Sequence, residues 1–216
     1  DREKKGYKPQ FEIESTDEKT DAEQALYRLG DAAFRRPVGA HEIVPYVKLF
    51  ESERAKGETF EPALRTAAMA VLSSPHFLFL REPAGALDDY ALASRLSYFL
   101  TRTAPDAELL ALARKGKLRV NLRDQTERLL KDTRFGRFIT DFTEAWLNLR
   151  EMDFTIPDRS LYPEYEPYLR FSMPRETEAF LSELIAGNHP AAAIVKSDFV
   201  MINDRMAEHY GIAGVT

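Results

Sequence analysis

The sequence predicts an all-α fold, a multi-helix bundle, for this chain of 216 residues. Apolar residues recur at spacings of three and four, which place them on one face of a helix. Glycine and proline residues separate these periodic stretches and mark where one helix stops and the next begins. We therefore expect about nine or ten helices, arranged as a small N-terminal three-helix module packed on a larger C-terminal helical bundle.

Residues 1–19 precede the first periodic stretch. They are charged and contain few apolar anchors, which predicts a linker or docking arm. Residues 20–82 are predicted to form the small helical domain, because they hold three stretches of helical spacing. These predicted helices cover residues 20–36, 40–55 and 60–73.

Local signals set the ends of these three helices. Thr20 and Thr59 are the expected N-caps. Pro37 ends the first helix, because the residue before a proline is pushed away from helical angles. The apolar run 76–80 is too short for a stable isolated helix, so we predict a buried segment of one turn or of irregular structure. His76 within it is expected to be partly buried and hydrogen-bonded.

The sequence Pro83-Ala84-Gly85 opens the larger helical domain, residues 83–216, because breaker residues there precede a new periodic stretch. Its predicted helices cover residues 89–103, 105–115, 122–131, 133–149, 164–186, 190–195 and 204–210. Residues 150–163 lack a helical period and predict a long ordered loop. Pro174 removes a backbone donor and should kink the long helix.

The densest aromatic stripe of the chain lies in the predicted helix 133–149. Phe138, Phe142 and the sole tryptophan, Trp146, follow one another at four-residue spacing. Such spacing puts the three rings on one side of the helix. We therefore expect this stripe to form the core of the larger domain and Trp146 to be buried.

Composition excludes several classes of protein. The 35 acidic residues outnumber the 30 basic ones, so no general positive field is available for nucleic acid. The chain contains no cysteine, which excludes disulfides, thiolate metal sites and covalently attached c-type haem within these residues. Its longest apolar runs are far shorter than the ~20 residues that span a bilayer, so we predict no transmembrane segment.

Motifs that identify common enzymes are absent from the sequence. It contains no His-Glu-x-x-His or Glu-x-x-His pair, no glycine-rich phosphate loop and no Gly-x-Ser-x-Gly elbow. We therefore predict no metal and no cofactor for this chain. Enzymes whose paired carboxylates come from distant positions, such as many glycosidases, remain an open class.

The strongest catalytic candidates lie toward the C-terminus and are Glu176, Asp198, Arg205 and His209. Acidic and imidazole side chains are the usual general acids and bases. The alternative for the same cluster is structural, with capping and buried hydrogen bonding as its roles. A cleft that unites the four residues would indicate an active site, whereas separate or outward positions would indicate structure.

Two stretches resemble known families. Residues 26–79, with AFRRPV at 33–38 and AVLSSPHFLF at 70–79, resemble a small domain of unknown function from planctomycete-type proteins. Residues 87–212 resemble the domain that usually follows it, through LDDYALASRLSYFL at 87–100, RET at 175–177 and DFVMINDRMAEHYGI at 198–212. This chain departs from the usual pattern at Gly39, where a capping Ser or Thr is common, and at Pro174, where a helix former is common.

The resemblance implies a place in the middle of large exported proteins, periplasmic or on the cell surface. There a c-type cytochrome module often stands upstream and further helical domains downstream, so a c-type haem would belong to a neighbouring domain. The chain begins without an initiator methionine, and we expect it to be part of a longer protein. The resemblance brings no catalytic roles.

Two functions follow as hypotheses. The first is a helical scaffold or docking module of a larger exported, cytochrome-associated protein, whose partners are the neighbouring domains of the same polypeptide. The second is a catalytic domain that uses the acidic and histidine cluster near the C-terminus, either for redox chemistry with a haem partner or for polymer hydrolysis.

Overall fold

The computed structural model describes residues 15–80, 82, 84–154, 156–158 and 160–215. All regular secondary structure in these ranges is helical, which confirms the all-α fold. The α-helices are α1 (Glu18–Phe34), α2 (Ala40–Ala55), α3 (Phe60–Leu72), α4 (Pro75–Leu78), α5 (Asp89–Thr101), α6 (Ala107–Arg114), α7 (Leu122–Leu130), α8 (Gly136–Leu147), α9 (Pro167–Ala186) and α10 (Asp204–Tyr210). Short 3-10 turns cover Arg119–Asn121, Thr133–Phe135, Leu149–Phe154 and Ala191–Ile194. Most of the predicted docking arm, residues 1–14, and Pro83 of the predicted boundary lie outside the described residues.

The chain forms two compact units. Of the described residues, the first unit comprises those up to 98 together with 104–125, and the second comprises 99–103 together with those from 126 onward. This division follows packing, whereas the predicted division at residue 83 follows sequence signals and stays a prediction.

Helices α1, α2 and α3 pack on one another in the first unit and share one core. Leu26, Ile43 and Val71 are fully buried there. The Phe50 and Phe60 rings meet edge to face, with their centroids 5.5 Å apart, a favourable arrangement for aromatic pairs. Each helix buries one stripe of its predicted pattern, so the periodicity identifies this core correctly.

Two predicted caps differ in the structure. The N-cap of α1 is Asp17, whose carboxylate accepts a hydrogen bond from the Thr20 N–H at 3.3 Å, so the prediction of Thr20 as the cap is wrong. Thr59 occupies the N-cap position of α3, but its side chain accepts no cap bond. At Gly39, which has no side chain to offer, Glu42 accepts the backbone N–H through Oε2 at 2.9 Å.

The run 76–80 overlaps the single turn α4, but its apolar side chains are not buried as predicted. Leu78 and Phe79 are largely exposed. The segment is held instead through its backbone, because the carbonyls of His76, Phe77 and Phe79 accept hydrogen bonds from the Arg35 guanidinium. Polar anchoring of the main chain therefore replaces apolar burial.

In the second unit, α8 and α10 each pack on α9. α8 buries Ile139 and Thr143, and α10 buries Met206 and Ala207. α9 runs through Pro174 as one helix. No helix in the described part of the chain is both long and apolar enough to cross a membrane.

The prediction that Trp146 is buried is wrong, since half of its surface is exposed (50%). The buried face of α8 is the one that carries Ile139 and Thr143. Phe138 and Phe142 stand one position earlier, which turns their direction by about 100° around the helix axis. The aromatic stripe therefore flanks the packed face instead of forming it.

Candidate functional site

The C-terminal cluster is positioned by α10, a helix of 7 residues. Such a short helix is not stable alone and depends on packing. Asn203 caps it, accepting the Met206 N–H through Oδ1 at 2.9 Å. The amide of Asn203 also donates to Ser172 Oγ on α9 at 2.9 Å. The predicted cap at Asn203 is confirmed, and it ties α10 to α9.

Arg205 forms a second tie between these helices. Its Nε donates to Glu166 Oε1 at 2.9 Å, and its Nη2 donates to the Glu164 carbonyl at 2.8 Å. Glu166 is the N-cap of α9 and also accepts the backbone N–H of Tyr168. These bonds from Tyr168 and Arg205 hold the pKa of Glu166 below its ordinary value. Glu166 is absent from the predicted residues, although a carboxylate before Pro167 is a signal for a helix start.

Glu176 and His209 both lie near Tyr210. The Tyr210 hydroxyl donates to Glu176 Oε2 at 2.9 Å, and the His209 and Tyr210 ring centroids are 5.4 Å apart. Burial and the hydrogen bond to Glu176 raise the pKa of Tyr210 above its ordinary value. Glu176 therefore serves as an acceptor that fixes the end of α10 on α9.

No hydrogen bond or ion pair joins any two of the four candidate residues in the part of the chain that the structure describes. Asp198 is exposed on the stretch that precedes α10. A groove of about 450 Å³ does lie along α9, lined by residues such as Tyr165, Phe171 and Pro174, but none of the four candidates lines it. Their catalytic role stays a prediction. Among the described residues, no group of three or more acidic or histidine side chains is placed to hold a metal ion.

A row of aromatic rings stands out on the surface of the second unit. We call Phe99, Phe138, Phe142 and Trp146 the aromatic strip. Successive ring centroids are 5.0, 5.3 and 5.6 Å apart, and Phe138 also stacks on the buried Phe135 at 5.3 Å. Phe99 is 58% exposed. The strip is thus an ordered apolar surface, and the contact between Phe138 and Phe135 joins it to the protein interior.

The first unit contains a cavity of about 420 Å³, which we call the Arg35 cavity. It is lined by Phe34, Arg35, Arg36, His76, Leu80, Glu82, Asp88, Tyr90, Ala91 and Ser94. Three stretches of the chain supply these residues: the end of α1, the α4 region and the start of α5. Their separation in sequence explains why spacing alone does not predict the cavity, although the motifs that carry the family resemblance contain most of its lining.

Arg35 organises one wall of this cavity. It is only 5% exposed, and its guanidinium donates to the carbonyls of His76, Phe77 and Phe79 at 2.8–3.1 Å. Its backbone is left-handed, with φ at 60°, a conformation uncommon outside glycine and asparagine. Arg35 is therefore held in place by its side-chain bonds despite an unfavourable backbone.

Arg36 and Glu42 form a paired charge beside the same wall. Arg36 Nη2 lies 2.6 Å from Glu42 Oε1, and Arg36 Nη1 lies 2.9 Å from Oε2. This bidentate bond, helped by the Gly39 N–H, lowers the pKa of Glu42 to about 2. Arg36 is consequently committed to a partner within the protein.

Comparisons with known proteins agree with the resemblance in finding two tandem domains of unknown function, and they bring no activity. Residues 87–212 match the model of a family described as PSD4: Protein of unknown function (DUF1592). Residues 21–82 match a second model, described as PSD5: Protein of unknown function (DUF1595). Comparisons with curated proteins and with solved structures gave no match.

Proposed function

We propose that this chain, which belongs to the family whose model matches residues 87–212, is a helical scaffold module that docks neighbouring domains of a larger exported protein. The tandem arrangement of two matched models supports a multidomain context. The resemblance implies a c-type cytochrome module upstream, and we choose this module as the docking partner for the test.

One observation carries the proposal, and it is the exposure of the aromatic strip. Contiguous apolar surface on a folded protein marks an interaction site. Aromatic side chains contribute much of the binding energy at interfaces, because they offer large contact area and few rotatable bonds. The rings of the strip already contact one another, so a partner would not have to order them. Binding a partner at this surface would therefore cost little side-chain entropy.

The charge of the chain favours an apolar partner face over a polyanion. Next to Phe142 in sequence, Asp141 is paired, since Arg102 Nε lies 2.6 Å from its Oδ2. The chain as a whole carries a net charge of −5, so neither nucleic acid nor anionic lipid is attracted to it. A folded protein domain fits this surface better than a polyanion.

The C-terminal cluster supports a structural function as well. Arg205, Asn203 and Tyr210 each bond a residue of α9 or of the turn before it. These bonds fix α10, a helix too short to stand alone. The groups therefore stabilise the module that presents the strip. The catalytic alternative stays a prediction.

Trp146 provides the test, because it is the only tryptophan and belongs to the strip. The c-type cytochrome module of the same polypeptide, added as a separate protein, should quench Trp146 emission saturably, since haem absorbs at the wavelengths of tryptophan emission. Replacing Phe142 with Ser should weaken this binding by interrupting the strip.

Val120→Ser is the matched control, since Val120 is an exposed apolar residue of the first unit. It should bind as the unmodified chain does, and circular dichroism should show that both variants remain helical. Quenching that rises linearly with cytochrome concentration, or that is equal in the chain and the Phe142→Ser variant, would show that the strip does not dock this neighbour.

A further inference from the structure

A small pocket opens on the surface of the first unit beside the C-terminal half of α1, and we call it the Arg28 pocket. Its volume is about 270 Å³, just below the range of about 300–1,000 Å³ that is typical of drug-sized ligands. Its apolar wall consists of Ala32 of α1, Pro37, the ring of Tyr90 in α5 and Leu110 of α6. The structure describes the sequence neighbours of each of these residues. The pocket therefore suits a small ligand with an apolar body.

Two arginines without a protein partner stand at this pocket. Arg28 of α1 and Arg114 in the last turn of α6 are both exposed, and neither forms a hydrogen bond or ion pair with any described residue. Among the described arginines, Arg137 of the second unit is the only other one without such a bond. Arg54 and Arg95, by contrast, each bind a glutamate. The guanidinium donors of Arg28 and Arg114 thus remain available to a ligand.

The carboxylates closest to the pocket have other partners. Asp31 lines the pocket, and its Oδ1 accepts the Val38 N–H at 2.8 Å. Arg36, the third arginine of the lining, is bound bidentately by Glu42. Asp31 forms no ion pair with either unpaired arginine of the pocket, so both stay open to an anionic ligand. Its own negative charge, however, repels a doubly charged anion more strongly than a singly charged one.

A carboxylate is the anion that these features favour. Guanidinium and carboxylate groups form charge-assisted hydrogen bonds, which are frequently bidentate. A carboxylate carries one negative charge, whereas a phosphate monoester carries about −1.5 to −2 at pH 7, so Asp31 repels the carboxylate less. An apolar body attached to the carboxylate would gain free energy by covering the apolar wall.

We propose that the Arg28 pocket binds an aromatic monocarboxylate. Its carboxylate accepts hydrogen bonds from Arg28 and Arg114, and its ring packs against Tyr90, Leu110 and Pro37. An aromatic body is favoured because contact with the Tyr90 ring adds to the burial of apolar area. This binding site lies in the first unit and does not depend on the docking role of the aromatic strip.

Ligand-observed NMR on the whole chain tests the proposal, with benzoate and phenylacetate as probes. At least one of the two should bind. Benzyl alcohol, which lacks the charge, and inorganic phosphate, which lacks the ring, should bind at least tenfold more weakly. Arg28→Gln and Arg114→Gln should each weaken binding of the aromatic carboxylate about tenfold, the effect of one charged hydrogen bond.

Arg137→Gln is the matched control, because it removes the same charge from an unpaired arginine of the second unit. It should leave binding unchanged. Arg28 and Arg114 bond no described residue, so their replacement breaks no hydrogen bond or ion pair of the described fold. Circular dichroism should show that all three variants remain helical.

Failure of both aromatic carboxylates to bind would overturn the proposal, as would binding that Arg28→Gln and Arg114→Gln leave at full strength. Equal binding of benzyl alcohol would show that the charge of the ligand is not recognised, and equal binding of phosphate would show that its ring is not. Either result would also overturn the proposal. A loss of affinity in Arg137→Gln as large as in the two pocket variants would indicate a general effect of charge and exclude this site.

Discussion

Replacing Arg35 with Met is expected to release the segment 76–79 and to destabilise the first unit substantially. Methionine keeps much of the length and apolar stem of arginine but removes every donor. Both residues have a side chain, so the left-handed backbone at position 35 is similarly unfavourable for either, and the main change is the loss of the guanidinium contacts, including the one over the Tyr98 ring. Three carbonyls lose a charged donor that lies 2.8–3.1 Å away.

The magnitude follows from these three bonds. A hydrogen bond to a charged group contributes about 1.5–3 kcal/mol. Because Leu78 and Phe79 are exposed, water can reach the released carbonyls, and the lower end of the range applies. We expect a loss of about 4.5 kcal/mol in the free energy of unfolding. That is a large share of the total for a natural domain, which is about 5–15 kcal/mol.

Urea unfolding followed by circular dichroism measures this loss, and hydrogen exchange of peptides covering residues 76–80 locates it. Arg65→Met is the control, because Arg65 forms an exposed pair with Glu61 at 3.4 Å, worth about 0.3–0.5 kcal/mol. A loss for Arg35→Met no larger than for this control, or unchanged exchange in the segment, would refute the anchoring role of Arg35.

Three further predictions concern other parts of the chain. Trp146 should emit as a half-exposed indole and be quenched by acrylamide, and emission typical of a buried indole would contradict the exposed strip. Asn203→Ala should cost about 0.5–2 kcal/mol through the lost cap, whereas His209→Ala should stay within about 0.5 kcal/mol; urea unfolding compares them, and equal losses would argue against the cap. The pKa of Glu42 falls from 4.5 to about 2 on folding, so its pairing with Arg36 stabilises the protein above pH 4.5 and is lost as the pH falls through about 2. Acid unfolding of Glu42→Gln should lack this component, and identical acid profiles would contradict it.

The helical architecture follows from the sequence because helical spacing is a local property. Leu26, Ile43 and Val71 each occupy the apolar stripe of their own helix, and all three are buried as expected. Helix ends are less determined, because Asp17 and Thr20 are both good caps only three residues apart. The choice between them depends on backbone geometry that composition does not specify.

Exposure of Trp146 is not predictable in the same way. A periodic stripe shows that side chains share a side of a helix, but not whether another element covers that side. In α8 the covered side carries Ile139 and Thr143, and the aromatic rings cover one another. The size of an apolar side chain is therefore a poor guide to its burial when a ring can pack on its neighbour.

The residues of the C-terminal cluster can be grouped from the sequence, whereas the residues that line the Arg35 cavity cannot. Arg205 and Asn203 are close in sequence and were recognisable as a polar group near a helix start. Arg35, His76 and Ser94 lie far apart in sequence, and only the packing of the first unit brings them to one cavity. The hydrogen bonds that Arg35 donates to the backbone of the segment 76–79 also depend on contacts that no spacing rule describes.

The aromatic strip also governs how the isolated chain behaves at high concentration. The chain carries a net charge of −5 at pH 7, so its molecules repel one another, but its pI is about 5.5. Near that pH the mutual repulsion vanishes, while the attraction between exposed rings persists. Self-association measured by light scattering should therefore peak in mildly acidic buffer and fall when Phe142 is replaced by Ser, so colloidal stability depends on the same surface that we propose for docking.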